Sequence, residues 1–82
     1  MYILRTYLLE NPEVVFYYKG TAKEWGVPFA LNTIMAFEPS DAYIFIDEQE
    51  AKVVISRLNL DKLLLYKYGY SEFKLEIAKP PL

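Results

Sequence analysis

From residue 2 to residue 9, apolar side chains fall on both sides of an alternating pattern. Ile3, Tyr7 and Leu9 share one side with Arg5, while Tyr2, Leu4 and Leu8 share the other with Thr6. A strand that is apolar on both faces belongs well inside a sheet. Glu10-Asn11-Pro12-Glu13 then breaks the pattern, since Pro12 has no amide hydrogen and asparagine tolerates turn geometry. Residues 14–19 are β-branched and aromatic and predict a second strand, folded back on the first as a hairpin and ended by Gly20. The stretch TAKEWGVP, residues 21–28, is the least regular, with Gly26 and Pro28 interrupting it around Trp25. Residues 33–37 predict one short strand, Glu38-Pro39-Ser40-Asp41 a turn, and residues 42–46 form a short apolar run.

The best-marked element is IDEQEAKVVISRLNL. Asp47 suits an N-cap and Glu50 the third helical position, which together make a capping box. Ala51, Val54, Ile55 and Leu58 recur at the spacing that gives a helix one apolar face. Glu48 and Lys52 stand four apart in the favourable order. Asn59 suits a left-handed residue ending the helix, with Leu60 folding back toward Ile55. Residues 61–68 are ambiguous: leucine and lysine favour a short helix stopped by Gly69, whereas alternating tyrosines favour a strand from Leu63. The helical reading is adopted here. Residues 73–78 predict a strand with Phe73, Leu75 and Ile77 inward and Glu72, Lys74 and Glu76 outward, and residues 79–82 a tail. The fold class expected is α+β. It is a single domain over residues 1–82, a small, mostly antiparallel sheet of roughly four to five short strands with one face covered by one or two helices.

Composition changes this picture in one respect. Of 82 residues, 54% are apolar and 17% aromatic, yet a chain this short buries only about 60–65% of its unfolded surface. Either the core is unusually aromatic or part of the apolar surface is covered by another chain. The chain has no cysteine and no histidine. That removes disulfides, zinc thiolates, thiol nucleophiles and the usual proton shuttle near neutral pH. Gly20, Gly26 and Gly69 make no phosphate-cradling cluster, and no calcium-loop pattern occurs, so no cofactor or metal is expected. Nine basic and eleven acidic residues are scattered along the chain, for a net charge of −2. That balance argues against binding duplex DNA. No apolar run is long enough to cross a membrane and no leader pattern opens the sequence, so the expected location is the cytoplasm.

Tyr66, Tyr68 and Tyr70, joined by Tyr17 and Tyr18, are the leading candidates for a functional surface. With Lys67 and Lys19 between them they could stack single-stranded bases. They could equally anchor a protein interface, or lie at the core edge with hydroxyls in water. In a helix Tyr66 and Tyr68 would point about 200° apart and the ladder would dissolve. Trp25 and Phe29 could be interface anchors on an irregular loop, or could plug one end of the sheet. Asp41, Asp47, Glu48 and Glu50 are acidic enough for acid–base work, but capping and the helix dipole already account for three of them. The outer helix face, Glu48, Gln49, Lys52, Ser56 and Arg57, reads as a solvated one.

DAYIFIDEQEAKVVISRL, residues 41–58, resembles a pattern in small accessory proteins of tailed bacteriophages. There a short strand ending in an aromatic and an acidic residue leads into an E-x-E-A-x-x-x-I helix, and the chain opens Met-aromatic-Ile, similar to Met1-Tyr2-Ile3. The resemblance implies a protein that binds and inhibits or modulates a host protein, antiviral defence systems included. The expectation is therefore a non-catalytic interaction module in the host cytoplasm, with Trp25, Phe29, Tyr17, Tyr18, Tyr66, Tyr68 and Tyr70 at its interface. A single-stranded nucleic-acid binder built on residues 66–70, or a structural subunit of a homo-oligomeric assembly, is the alternative.

Overall fold

Four strands form one antiparallel sheet in the order β3-β2-β1-β4: β1 (Tyr2–Tyr7), β2 (Val15–Thr21), β3 (Thr33–Ala36) and β4 (Lys74–Ile77). The computed structural model describes residues 1–21, 33–61 and 63–78, so the expectations for Trp25, Phe29 and the 79–82 tail lie outside the described residues. β1 sits between β2 and β4, as its two apolar faces require. The Asn11–Pro12 turn closes the hairpin: Leu8 N–H donates to Val14 O at 3.0 Å and Val14 N–H to Asn11 O at 2.9 Å.

The hairpin stays paired only near its turn, where Arg5, Thr6 and Tyr7 face Tyr17, Phe16 and Val15. Farther on, the carbonyl of Tyr18 accepts from Tyr43 N–H, and Tyr2 exchanges both backbone hydrogen bonds with Phe45, each at 2.8 Å. The short apolar run of residues 42–46 thus wedges between two diverging strands, burying Phe45 beneath the sheet's covered face. β2 pairs with β3 through a register shift between Tyr18 and Gly20. Gly20 takes φ 138° there, a backbone state open to a residue without Cβ.

The helix α1 (Glu48–Asn59) lies on one face of the sheet. Ala51 and Leu58 are buried and Val54 and Ile55 half-buried, which is the apolar face the spacing predicts. Glu48 and Lys52 pair at 3.4 Å on the exposed side. Asp47 caps the helix through Gln49 N–H at 2.9 Å, so the expected box with Glu50 is a one-sided cap. Asp47→Ala is expected to cost about 1 kcal/mol of stability, read from the urea midpoint.

The far end of the helix differs from expectation. Asn59 stays helical and is not left-handed; Leu60 caps the helix at φ −86°, ψ −11° and is 80% exposed rather than folded back on Ile55. Asn59 has another use. Its Oδ1 accepts Phe73 N–H at 2.7 Å and its Nδ2 donates to Phe73 O at 3.5 Å, so the amide stands where a neighbouring strand's backbone would pair. Phe73 is 3% exposed, and leaving its N–H without a partner costs about 1–3 kcal/mol. Asn59→Ala should lower the unfolding free energy by about that amount in urea titration.

The ambiguous stretch is helical but wider than an α-helix, a single π-helical turn over Leu63–Lys67. Gly69, at φ 71°, then turns the chain back beside β1, with Leu9 N–H donating to Gly69 O and Ser71 N–H to Tyr7 O, each at 2.8 Å. The register of this approach, Leu8 opposite Tyr70, is one residue out of step with that of β4, Arg5 opposite Lys74. A buried hydroxyl pair spans the slip. Thr6 Oγ1 donates to Ser71 O at 2.7 Å and lies 2.9 Å from Ser71 Oγ, which itself accepts Tyr7 N–H at 3.1 Å. Phe73, just before β4, and Leu75 on it face the core as expected. Ile77 does not: at the strand's end, outside the core cluster, it is 73% exposed.

Candidate interaction surface

The helix α1 packs chiefly against β1 and β4 rather than β2 and β3. Phe16 lies opposite Thr6 and, by alternation, shares the helix-side face with Leu4 and Tyr18. The Tyr17–Ala36 register carries Phe37 alongside Phe16, with ring centroids 5.0 Å apart. Tyr70, held opposite Leu8, sets its ring edge-on to Phe16 at 5.3 Å. The turn at Gly69 lays Tyr68 nearly parallel to Tyr70, at 6.4 Å and 19°. Phe37, Phe16, Tyr70 and Tyr68 therefore form one row of rings, each in contact with the next.

The row is open to solvent. Phe37 is 73% and Tyr68 37% exposed, and Phe16 and Tyr70 are half-buried. The Lys67 ammonium stands 5.9 Å from the centre of the Tyr68 ring. Beside it a cleft of about 220 Å³ is lined by Leu8, Glu10, Tyr66, Lys67, Tyr68 and Gly69. Partial burial, with the neighbouring Tyr68 phenol adding to it, raises the Tyr70 pKa above the ordinary phenol value of 10.0. The folded state thus holds this proton more tightly than the unfolded chain. Stability linked to Tyr70 is complete below pH 10.0 and is lost as pH climbs from there through the raised folded value. Ultraviolet titration should show one phenol ionising later than in the Tyr70→Phe variant.

Of the sequence candidates, the structure brings together Tyr68 and Tyr70. Tyr66 stands apart from the stack and is 78% exposed, as the helical reading of its segment requires. Tyr18 is a correction: it is 3% exposed, its ring stacked on Phe45 at 6.0 Å and its hydroxyl approached by Arg57 Nη2 at 3.5 Å. It is a core residue, because alternation turns it under the helix. The same alternation puts Tyr17 on the opposite face, beside Arg5 and Ala36. Phe16 and Phe37, the middle and end of the row, were not singled out by sequence. Only the cross-strand register joins them.

The open face, meaning the side of the sheet turned away from α1, carries a second feature, a recess of about 480 Å³ lined by Ile3, Pro39, Ser40, Ile44, Glu76, Ile77 and Ala78. Arg5 reaches Glu76 at 3.8 Å across this face. The acidic residues Asp41, Asp47, Glu48 and Glu50 are all exposed. Among the described residues no three His, Cys, Asp or Glu side chains cluster closely enough to hold a metal ion. No described helix is long and apolar enough to cross a membrane. In comparisons with known proteins, no protein family, no curated sequence and no solved structure matches this chain.

Proposed function

We propose that the protein works by binding another protein through the aromatic row, without chemistry of its own. The observation that carries this reading is the continuity of the row. Large aromatic rings that are partly open to solvent and packed against one another are the side chains that dominate binding energy at protein interfaces. Such rings lose little conformational entropy on docking, because their neighbours already hold them. The resemblance of residues 41–58 to phage accessory proteins supports a host-cell protein as the partner, met in the cytoplasm, with an inhibitory or modulating outcome.

Nucleic acid fits less well. Stacked bases would bring phosphates beside Glu10 and Glu38, and net charge is −2. A structural-subunit role would show as self-association rising with concentration in light scattering; the proposal expects a monomer. The direct test immobilises the wild-type protein and a Phe37→Ser/Tyr68→Ser variant and exposes both to one bacterial lysate. A protein retained by the first and lost from the second supports the reading. Equal retention by both, or none by either, removes it.

A further inference from the structure

The charges around the row are sorted by sign. Glu10 shares the cleft with Tyr66 and Tyr68, Glu38 follows Phe37 directly, and Glu13 lies in the hairpin turn. All three carboxylates are exposed, and none makes an ion pair among the described residues. The described cations mostly point elsewhere. Arg5 pairs with Glu76 on the open face, Lys52 with Glu48 on the outer helix, and Arg57 reaches toward Tyr18. Among the described residues the cation at the row is Lys67, whose ammonium rests over the face of Tyr68.

Aromatic faces are electron-rich and attract cations, arginine most readily, and nearby carboxylates strengthen that attraction. Steps of 5.0, 5.3 and 6.4 Å between rings approach the roughly 6.6 Å between alternate side chains of an extended chain. Resting on the reading of the row as a docking face, we infer that the segment it accepts is extended and basic, with arginine or lysine side chains laid over Tyr68, Tyr70 and Phe16. Lys67 then occupies in the free protein the place that a partner's cation takes in the complex.

The test uses the full-length protein and three synthetic peptides of equal length, alternating valine with arginine, glutamine or glutamate. Aromatic NMR signals of Phe16, Phe37, Tyr68 and Tyr70 report where each binds. The arginine peptide should shift the row signals with about tenfold higher affinity than the glutamine peptide, and salt should weaken it. Glu10→Gln/Glu38→Gln should reduce that affinity several-fold, and Lys67→Gln should raise it. If the glutamate or glutamine peptide binds the row as well as the arginine one, the basic-segment inference fails and the row remains a docking face. An arginine peptide that binds elsewhere, or that moves no row signal, also overturns the inference. The docking reading itself stands or falls on lysate retention by the row variants.

Discussion

Leu4→Ala is expected to lower the unfolding free energy by about 2–5 kcal/mol, the range for truncating a buried leucine in a packed core. Leu4 is fully buried in the strand flanked on both sides by others, and it belongs to the cluster with Tyr18, Phe45, Ala51, Leu58, Leu64 and Phe73. A domain of this size has total stability on the order of 4–12 kcal/mol, so the loss is a large share of it. Each kcal/mol should take about 4–8 °C from the melting temperature. Leu60→Ala is the control. It removes the same atoms from a side chain that is 80% exposed, and should change stability by less than about 0.5 kcal/mol. Urea titration followed by circular dichroism reads both. A Leu4→Ala protein as stable as wild type would mean that the helix does not pack on this face.

The second large effect concerns binding. Phe37→Ala and Tyr68→Ala should each weaken partner affinity by about 30-fold, the result of removing a ring worth about 2 kcal/mol at an interface centre. Neither should move the melting temperature much, since both rings are largely outside the core cluster. Phe16→Ala differs, because Phe16 is half-buried and touches both Phe37 and Tyr70. It should lose affinity and some stability together. Lys52→Ala, on the outer helix, should leave affinity unchanged. Isothermal titration with the captured partner separates these cases.

Local chemistry made much of the architecture legible. The cap at Asp47, the Ala51–Leu58 face and the Glu48–Lys52 pair depend on residues a few positions apart, so the helix could be read directly. The two-sided apolar run of residues 2–9 announced an interior strand for the same reason. The partner chosen by each edge was not legible. That β4 lies on β1, and that residues 43–45 wedge between β1 and β2, follow from contacts across tens of residues. Asn59 shows the limit well. Its sequence context fits a left-handed helix end, but the tertiary position of Phe73 gives its amide two backbone partners and overrides that preference.

The candidate surface was legible in part for a related reason. Tyr68 and Tyr70 stood out by alternation, and Gly69 between them supplies the turn that brings their rings together. Tyr17 and Tyr18 looked like one feature in sequence. A strand sends adjacent residues to opposite faces, so one is buried under the helix and the other lies on the open face. Phe16 and Phe37 are far apart in the chain and meet through β2–β3 register. The row is therefore a property of the sheet more than of any one segment.

The location of the interface is the central claim, and hydroxyl-radical footprinting of the protein alone and in complex with its captured partner tests it most directly. The rings of Phe37, Tyr66 and Tyr68 should oxidise readily in the free protein and be protected several-fold in the complex, while Ile44 and Ile77 on the recess stay as reactive as before. Protection of Ile44 and Ile77 with Phe37 and Tyr68 unchanged would contradict the account and move the binding surface to the open face of the sheet.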